Sequence, residues 1–262
     1  VTQTATGQNQ VKSFARGLDV IRSFSGNRPR QSLTEVAEAT GLAPATARRS
    51  LHTLISVGYA GTDGREYWLT PRILDLGFSY LSSQPLTAIA QPHLERLSHT
   101  VGESSSLSVL DGTDIVYVNR IAVRRIMTVA ITLGTRFPAH ATSMGRMILA
   151  GMTPDELDTH LDDVDCHRLT PNSVTSHSQL KKVVRTARDQ GWCIVDQELE
   201  PGLRSVAAPV RDATGRTVAA INVSTQTAVH PLDTLHRTFL PAVIETAQNI
   251  SADYAAAYRS IA

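Results

Sequence analysis

The apolar positions between Lys12 and Leu69 change period twice. Over Lys12–Ser25, Phe14, Leu18, Ile21 and Phe24 recur at helical spacing and predict a core-facing helix. After the loop Gly26-Asn-Arg-Pro29, Ser32-Leu-Thr-Glu35 forms a Ser-x-x-Glu capping box that can open a second helix, whose inner face is Leu33, Val36 and Ala37 and whose end is Gly41. Pro44 suits the first turn of a third helix, where its missing N–H costs nothing. Ala47, Leu51, Leu54 and Ile55 then face the core, while Pro44 and the outward Ala45, Thr46, Arg48, Arg49 and His52 remain for contact. From Tyr59 to Leu69 the period shortens to that of a β-ribbon, turning at Asp63-Gly64 with Arg65 at its tip. This order predicts a winged helix-turn-helix over residues 11–69, with the third helix suited to a DNA major groove and Arg65 to the backbone or minor groove. Two arginines on a helix face also suit a plain solvated surface. The capped helix, Gly turn, Pro-started helix and Arg-tipped ribbon together favour double-stranded DNA as a partner. Lys12, Arg16, Arg28 and Arg30 are further candidates for phosphate contact.

Residues 70–84 read as a linker helix, capped by Thr70 and started by Pro71. Ile73, Leu74, Leu76, Phe78, Tyr80 and Leu81 make it apolar around much of its circumference, which predicts packing against a second copy and a homodimer. Cover from the chain's own second half is the alternative. From Pro85 onward the pattern is mixed. Helices are expected over Leu86–Val101, Ser143–Ala150, Leu180–Ala187 and about Leu232–Tyr258, the last kinked at Pro241, and another opens at the box Thr153-Pro154-Asp155-Glu156. Strands are expected over Ser105–Leu110, Ile115–Ile121, Ile126–Thr132, Trp192–Asp196, Ser205–Arg211 and Thr217–Ser224. Hairpin links between them predict an α+β domain over residues 85–262, with a mostly antiparallel sheet covered by helices.

Charge sharpens this division. Up to Arg72 nine Lys and Arg stand against five Asp and Glu, whereas the remainder carries sixteen against nineteen, so the formal net charge of +1 hides a basic amino-terminal part. That is the distribution phosphate binding requires. At 262 residues, 42% hydrophobic and 19% charged, the chain is expected to form two ordinary globular domains. Its first ten residues, VTQTATGQNQ, are polar and expected to be a disordered arm without the apolar core of a signal peptide. No apolar run approaches the roughly 20 residues that span a bilayer. The two cysteines, Cys166 and Cys193, form no CxxC pair, supply no metal-ligand spacing and fit a reducing cytoplasm.

The second domain carries the more specific motifs. Gly134–Arg146 (GTRFPAHATSMGR), Gly191–Asp196 (GWCIVD), Glu200–Pro209 (EPGLRSVAAP) and Val218–Ser224 (VAAINVS) resemble, in this order, the IclR family of bacterial transcriptional regulators. Arg124–Val129 (RRIMTV), Thr142–Arg146 and Gly202–Ser205 are most similar to its regulators of aromatic-acid catabolism through the β-ketoadipate pathway. The resemblance implies a GAF/PAS-like effector domain that binds a small organic acid, and a dimer or dimer of dimers; no cofactor is expected. It implies a pocket walled by Ile126, Val129, Phe137 and Leu203, with Ser143, Met144, Asp196, Ser205, Asn222 and Ser224 as its polar floor. Ser205 stands where several members have cysteine, and Asn222 where serine is common.

The residues themselves agree in part. Ser143 lies at a predicted helix N-terminus, which favours a carboxylate. Ser205, Asn222 and Ser224 interrupt apolar strands, and buried polar groups need partners, from a ligand, from water or from each other. Arg136 and His140 bracket the loop and are expected at the surface. A hydrolytic enzyme and an effector-free DNA-binding protein are the competing classes. No Gly-x-Ser-x-Gly, Walker, HExxH or GxGxxG motif supports catalysis, and Cys193, mid-strand, reads as a buried thiol. A His140–Asp196 dyad would need the fold to bring those residues together.

Overall fold

The computed structural model describes residues 11–83, 85–123 and 131–259. The chain divides after Ser83 into two compact units. The expected arm over residues 1–10 lies outside the described residues, as do Arg124–Val129 with the pocket candidates Ile126 and Val129.

The first unit contains α1 (Lys12–Ser23), β1 (Gln31–Ser32), α2 (Leu33–Thr40), α3 (Pro44–Ser56), β2 (Ala60–Thr62), β3 (Glu66–Leu69) and α4 (Leu74–Ser82). The Ser32 capping box forms in both directions: Glu35 N–H donates to Ser32 Oγ at 3.3 Å, and Ser32 N–H to Glu35 Oε2 at 2.7 Å. Gly41 closes α2 in the left-handed region that its missing Cβ allows. At the ribbon turn Gly64 is again left-handed, and Asp63 Oδ1 accepts the N–H groups of Arg65 and Glu66. β3 is the centre of three antiparallel strands in the order β1-β3-β2. The two-residue β1, too short for any alternation to register, pairs Gln31 with Tyr67.

Val20, Val36, Ala37, Ala47, Leu51, Leu54, Ala60 and Tyr67 fill this unit's core. Two expectations change. Phe14 and Leu18 do not face that core: Phe14 is 69% exposed, because α1 turns Val20 inward and packs Ile21 and Phe24 at the margin. Thr70 does not cap a helix; its hydroxyl donates to the Gly58 carbonyl at 2.6 Å, and Pro71–Ile73 is a 3₁₀ turn before α4. Leu74, Leu76, Phe78 and Tyr80 on α4 stand exposed.

The second unit contains α5 (Pro85–Val101), β4 (Ser104–Asp111), β5 (Asp114–Ile121), β6 (Arg136–Pro138), α6 (Ser143–Ala150), α7 (Pro154–Leu161), α8 (His177–Gln190), β7 (Cys193–Asp196), β8 (Leu203–Arg211) and β9 (Thr217–Gln226). A short helical turn α9 (Leu232–Thr234) and α10 (Leu240–Arg259) close it. The six strands form one antiparallel sheet in the order β6-β5-β4-β9-β8-β7. Residues 126–130 of the expected strand lie outside the described residues, and Ile131 and Thr132 join no strand. The strand beside β5 is instead Arg136–Pro138, within the stretch read as a loop.

Strand alternation sorts the sheet into two faces. Ser105 Oγ donates to the Leu94 carbonyl of α5 at 3.0 Å, so odd positions of β4 face α5 and α10. Even positions face α6, every residue of which is buried. Gly145 explains how close α6 approaches: a Cβ there would collide with the Ala139 carbonyl. The kink expected at Pro241 is a π-helical turn over Leu235–Phe239, in which Leu240 N–H reaches back to the Leu235 carbonyl. Among the described residues no helix is long and apolar enough to cross a membrane.

Candidate functional site

Two places concentrate unspent polar chemistry. On α3, Ala47, Leu51 and Leu54 form the buried stripe. At 3.6 residues per turn the opposite stripe holds Ala45, Arg49 and His52, flanked by Arg48 and Thr46. Pro44, Ala45, Arg48, Arg49 and His52 are exposed and Thr46 is half-buried. Arg65 is exposed at the ribbon tip. Arg30, a candidate for phosphate, is committed elsewhere: it pairs with Asp63 at 3.2 Å and stacks over Trp68 at 4.1 Å, bracing the ribbon.

The second place is a cavity of about 350 Å³ in the second unit, between the even face of the sheet, the start of α6 and the loop from Gln197 to Gly202. Tyr117, Ile131, Phe137, Leu169, Val195 and Leu203 give it apolar walls. Ser143, Ser205, Asn222 and Ser224 give it polar ones. Ser205 and Ser224 are register partners on β8 and β9, so both point inward with Asn222, two residues along β9. Part of this polarity is internally matched. Ser143 Oγ donates to Ser205 Oγ at 2.8 Å, and Asn222 Nδ2 to Ser224 Oγ at 2.9 Å. Asn222 Oδ1, fully buried, has no partner among the described residues. Which end of an amide is oxygen is assigned rather than seen, yet either assignment leaves one end open.

Two expected floor residues are elsewhere. Met144 is wholly buried in the core between α6 and the sheet, because one step along a helix rotates it away from Ser143. Asp196 sits on the opposite strand face from Val195, and Arg204 Nε donates to its Oδ1 at 2.6 Å. Phe137, Leu203, Ser143, Ser205, Asn222 and Ser224 do line the cavity.

Tyr117, Val195, Leu169 and Leu199 also line it and were missed. Tyr117 meets Phe137 edge-on, with ring centroids 5.9 Å apart. Burial pushes its phenol up to about 12, so it stays protonated and can donate. Its inward aim depends on a β-bulge: Leu107 pairs with Asn119 and Ser108 with Tyr117, leaving Val118 unpaired.

The loop over the cavity is tightly held. Arg146, nearly all buried, reaches both carboxylate oxygens of Glu198 at 2.6 and 2.5 Å and donates from Nε to the His140 carbonyl at 2.9 Å. Thr170 Oγ1 donates to the Gln197 carbonyl at 2.6 Å, and Gln197 takes a left-handed φ of 61°. These contacts set where Leu199 and Leu203 meet the cavity.

His140 is 3% exposed rather than on the surface, because the 3₁₀ turn at Ala139–Ala141 packs under α6. Burial holds its imidazole below the usual value, with His167 and Arg146 adding to the effect. Its Nε2 has no partner among the described residues and Asp196 is held by Arg204, so no His140–Asp196 dyad forms. Arg136 is half exposed and pairs with Asp111 and Asp114. Burial pushes the Cys193 thiol up to about 11. Among the described residues no group of three or more His, Cys, Asp and Glu is placed to hold a metal.

Comparison with known proteins agrees with this division. The IclR helix-turn-helix domain model matches residues 13–64, and the model of the bacterial transcriptional regulator IclR C-terminal domain matches residues 78–252. The Pca regulon regulatory protein of Pseudomonas putida is 41% identical over 92% of this chain and 83% of its own length. The p-hydroxybenzoate hydroxylase transcriptional activator of Acinetobacter baylyi is 35% identical over 84% of this chain and 83% of its own. A solved transcriptional regulator from Rhodococcus sp. RHA1 superposes with a TM-score of 0.86 at 54% identity, covering 95% of this chain and all of that one. An IclR homolog from Microbacterium hydrocarbonoxydans, solved with 4-hydroxybenzoate, shares the fold with a TM-score of 0.81 at 24% identity, covering 93% and 99% of the two chains. The chain therefore belongs to the IclR family of bacterial transcriptional regulators.

Proposed function

We propose that this chain regulates transcription by binding operator DNA with its first unit, and that a small organic acid in the sheet cavity sets that affinity. The acid is an aromatic acid or dicarboxylate of the protocatechuate/β-ketoadipate pathway. The observation that carries this reading is the cavity itself: it is apolar, of ligand size, and holds a buried Asn222 amide with one end unmatched. The Pseudomonas and Acinetobacter relatives, named for the Pca regulon and for p-hydroxybenzoate hydroxylase, support an aromatic-acid effector.

Pro44, Ala45, Thr46, Arg48, Arg49, His52 and Arg65 make the DNA contacts, with Arg guanidinium suited to guanine O6 and N7. The protein works as a homodimer, and a dimer of dimers extends the same scheme. The exposed α4 and the apolar groove formed by Val11, Phe14, Leu18, Ile21, Val57 and Leu76 support this, since such surface calls for cover. Two recognition helices would then read half-sites about one DNA turn, or a multiple, apart. The chain acts in the cytoplasm, where bacterial operators are. We read it as a regulator rather than an enzyme, which the named transcriptional regulators among its relatives support.

The test is a thermal-shift titration of the full chain with 4-hydroxybenzoate, protocatechuate and adipate, alongside Ser205→Leu. A ligand that binds only the folded state raises the melting temperature. The wild type is expected to respond to an acid of this set. Ser205→Leu, which fills the cavity floor, is expected to fold and to lose the response. An undiminished shift in that variant would place the ligand elsewhere.

A further inference from the structure

We infer that Arg30 is the positioning residue of the ribbon tip: it touches no DNA itself and holds the Asp63-Gly64 turn so that Arg65 meets the operator in one fixed geometry. The inference rests on the DNA-binding reading above. Arg65 is exposed, and its guanidinium has no partner among the described residues. A cation carried on the turn of a short ribbon is only as well placed as that turn, and a hairpin alone is marginally stable in water.

Bonds within the turn set its shape. Asp63 Oδ1 accepts the N–H groups of Arg65 and Glu66 at 3.0 and 2.9 Å. Gly64 N–H donates to Thr62 Oγ1 at 3.0 Å, and that hydroxyl donates to the Glu66 carbonyl at 2.7 Å. None of these ties the turn to the rest of the unit, and Arg30 does. It stands one residue before β1, where the register that pairs Gln31 with Tyr67 sets it opposite Trp68 on β3. Its guanidinium lies over the Trp68 ring at 4.1 Å, while Nη1 donates to the other Asp63 oxygen, Oδ2, at 3.2 Å and stands 3.8 Å from Glu66 Oε2. Trp68 is placed in turn by Gly61, its partner on β2, where a Cβ would come within 2.7 Å of the indole.

Arg30 is thus spent on the ribbon although it is half exposed. Its flat face is on the indole and Nη1 is beside two carboxylates, whose charge repels a phosphate from the same spot. An exposed ion pair of this kind adds little to folding. What it removes is freedom at the tip. A group held in its bound geometry before association spares part of the ordering cost of binding. Arg30 therefore acts on operator affinity through Arg65, and its contribution vanishes where Arg65 is absent.

A double-mutant cycle tests this, with wild type, Arg30→Gln, Arg65→Ala and the double variant titrated as full chains at several salt concentrations. The probe is a duplex that the wild type selects from a random-sequence pool. Arg65→Ala is expected to weaken binding about tenfold or more, and Arg30→Gln about 3–10-fold, the scale of ordering one or two side chains. The double variant should bind within about twofold of Arg65→Ala alone. Arg30→Gln should also keep the wild-type dependence of log K on log salt, because no phosphate contact is lost. Losses that add in the double variant, or no loss in Arg30→Gln, would overturn the positioning role. Additive losses with a salt slope shallower by about one would make Arg30 a phosphate contact instead. Arg65→Ala without effect would remove the tip contact and the inference while DNA binding through α3 stands. Failure of the wild type to select any duplex would remove the DNA reading itself.

Discussion

The outer face of α3 and the inner face of the large sheet put polar side chains under opposite conditions. On α3, Arg48, Arg49 and His52 stand in water, where an unpaired charge costs nothing and waits for a partner. In the cavity, Asn222, Ser205 and Ser143 are out of water and already bond one another or their neighbours. A solvated cation recognises phosphate at a distance, with affinity that falls as salt screens it. A buried amide recognises a ligand through the specific bond it lacks, and discriminates among ligands because a mismatch leaves it unsatisfied. In the function proposed above, the two units divide the work of reading a long anionic polymer and a small molecule.

Breaking the cavity's scaffold has the largest expected effect. Arg146→Ala strands Glu198 as a buried, uncompensated carboxylate, which typically costs 3–5 kcal/mol. Chemical denaturation of the full chain should show this loss in the transition of the second unit, with ligand binding lost as Leu199 and Leu203 shift. A change below about 1 kcal/mol would mean that other contacts, such as Thr170 to Gln197, suffice to hold the loop.

Arg49→Ala probes the opposite condition. Operator affinity should fall by about 1–3 kcal/mol, near tenfold or more, while acid binding and stability stay within error. Unchanged retardation in a gel shift would remove Arg49 from the DNA contacts. The smallest effect is expected at Ser32, where replacing the cap hydroxyl with Ser32→Ala should cost about 1 kcal/mol and weaken DNA binding only through the stability of the first unit. Operator affinity that falls while the melting temperature holds would assign Ser32 a direct contact instead.

The legible parts were those that local chemistry decides. The capping box at Ser32, the turn at Asp63-Gly64 and the stripe of Ala47, Leu51 and Leu54 each arise from neighbouring residues and appear where the pattern places them. The inward aim of Ser205, Asn222 and Ser224 follows from strand alternation and is as legible. Met144 and Asp196 were misplaced because being next to a pocket residue in sequence is not sharing its face. Tyr117 could not be read at all, since its inward aim depends on a bulge fixed by pairing with β4. His140 was hidden for a similar reason: its burial comes from α6 closing over the preceding turn, which Gly145 permits. Phe14 shows the reverse error, a helical spacing that marks an apolar face without saying which surface covers it.

The central claim is that operator and ligand bind the first and second units of one regulator and are coupled. The most direct measurement is a gel-shift titration of the full chain on a duplex it selects from a random-sequence pool, with and without saturating 4-hydroxybenzoate, protocatechuate or adipate. The account predicts that one of these acids shifts the operator Kd by roughly 5–150-fold, and that Ser205→Leu abolishes the shift while keeping the affinity measured without acid. An operator Kd indifferent to every acid that the protein binds would contradict it.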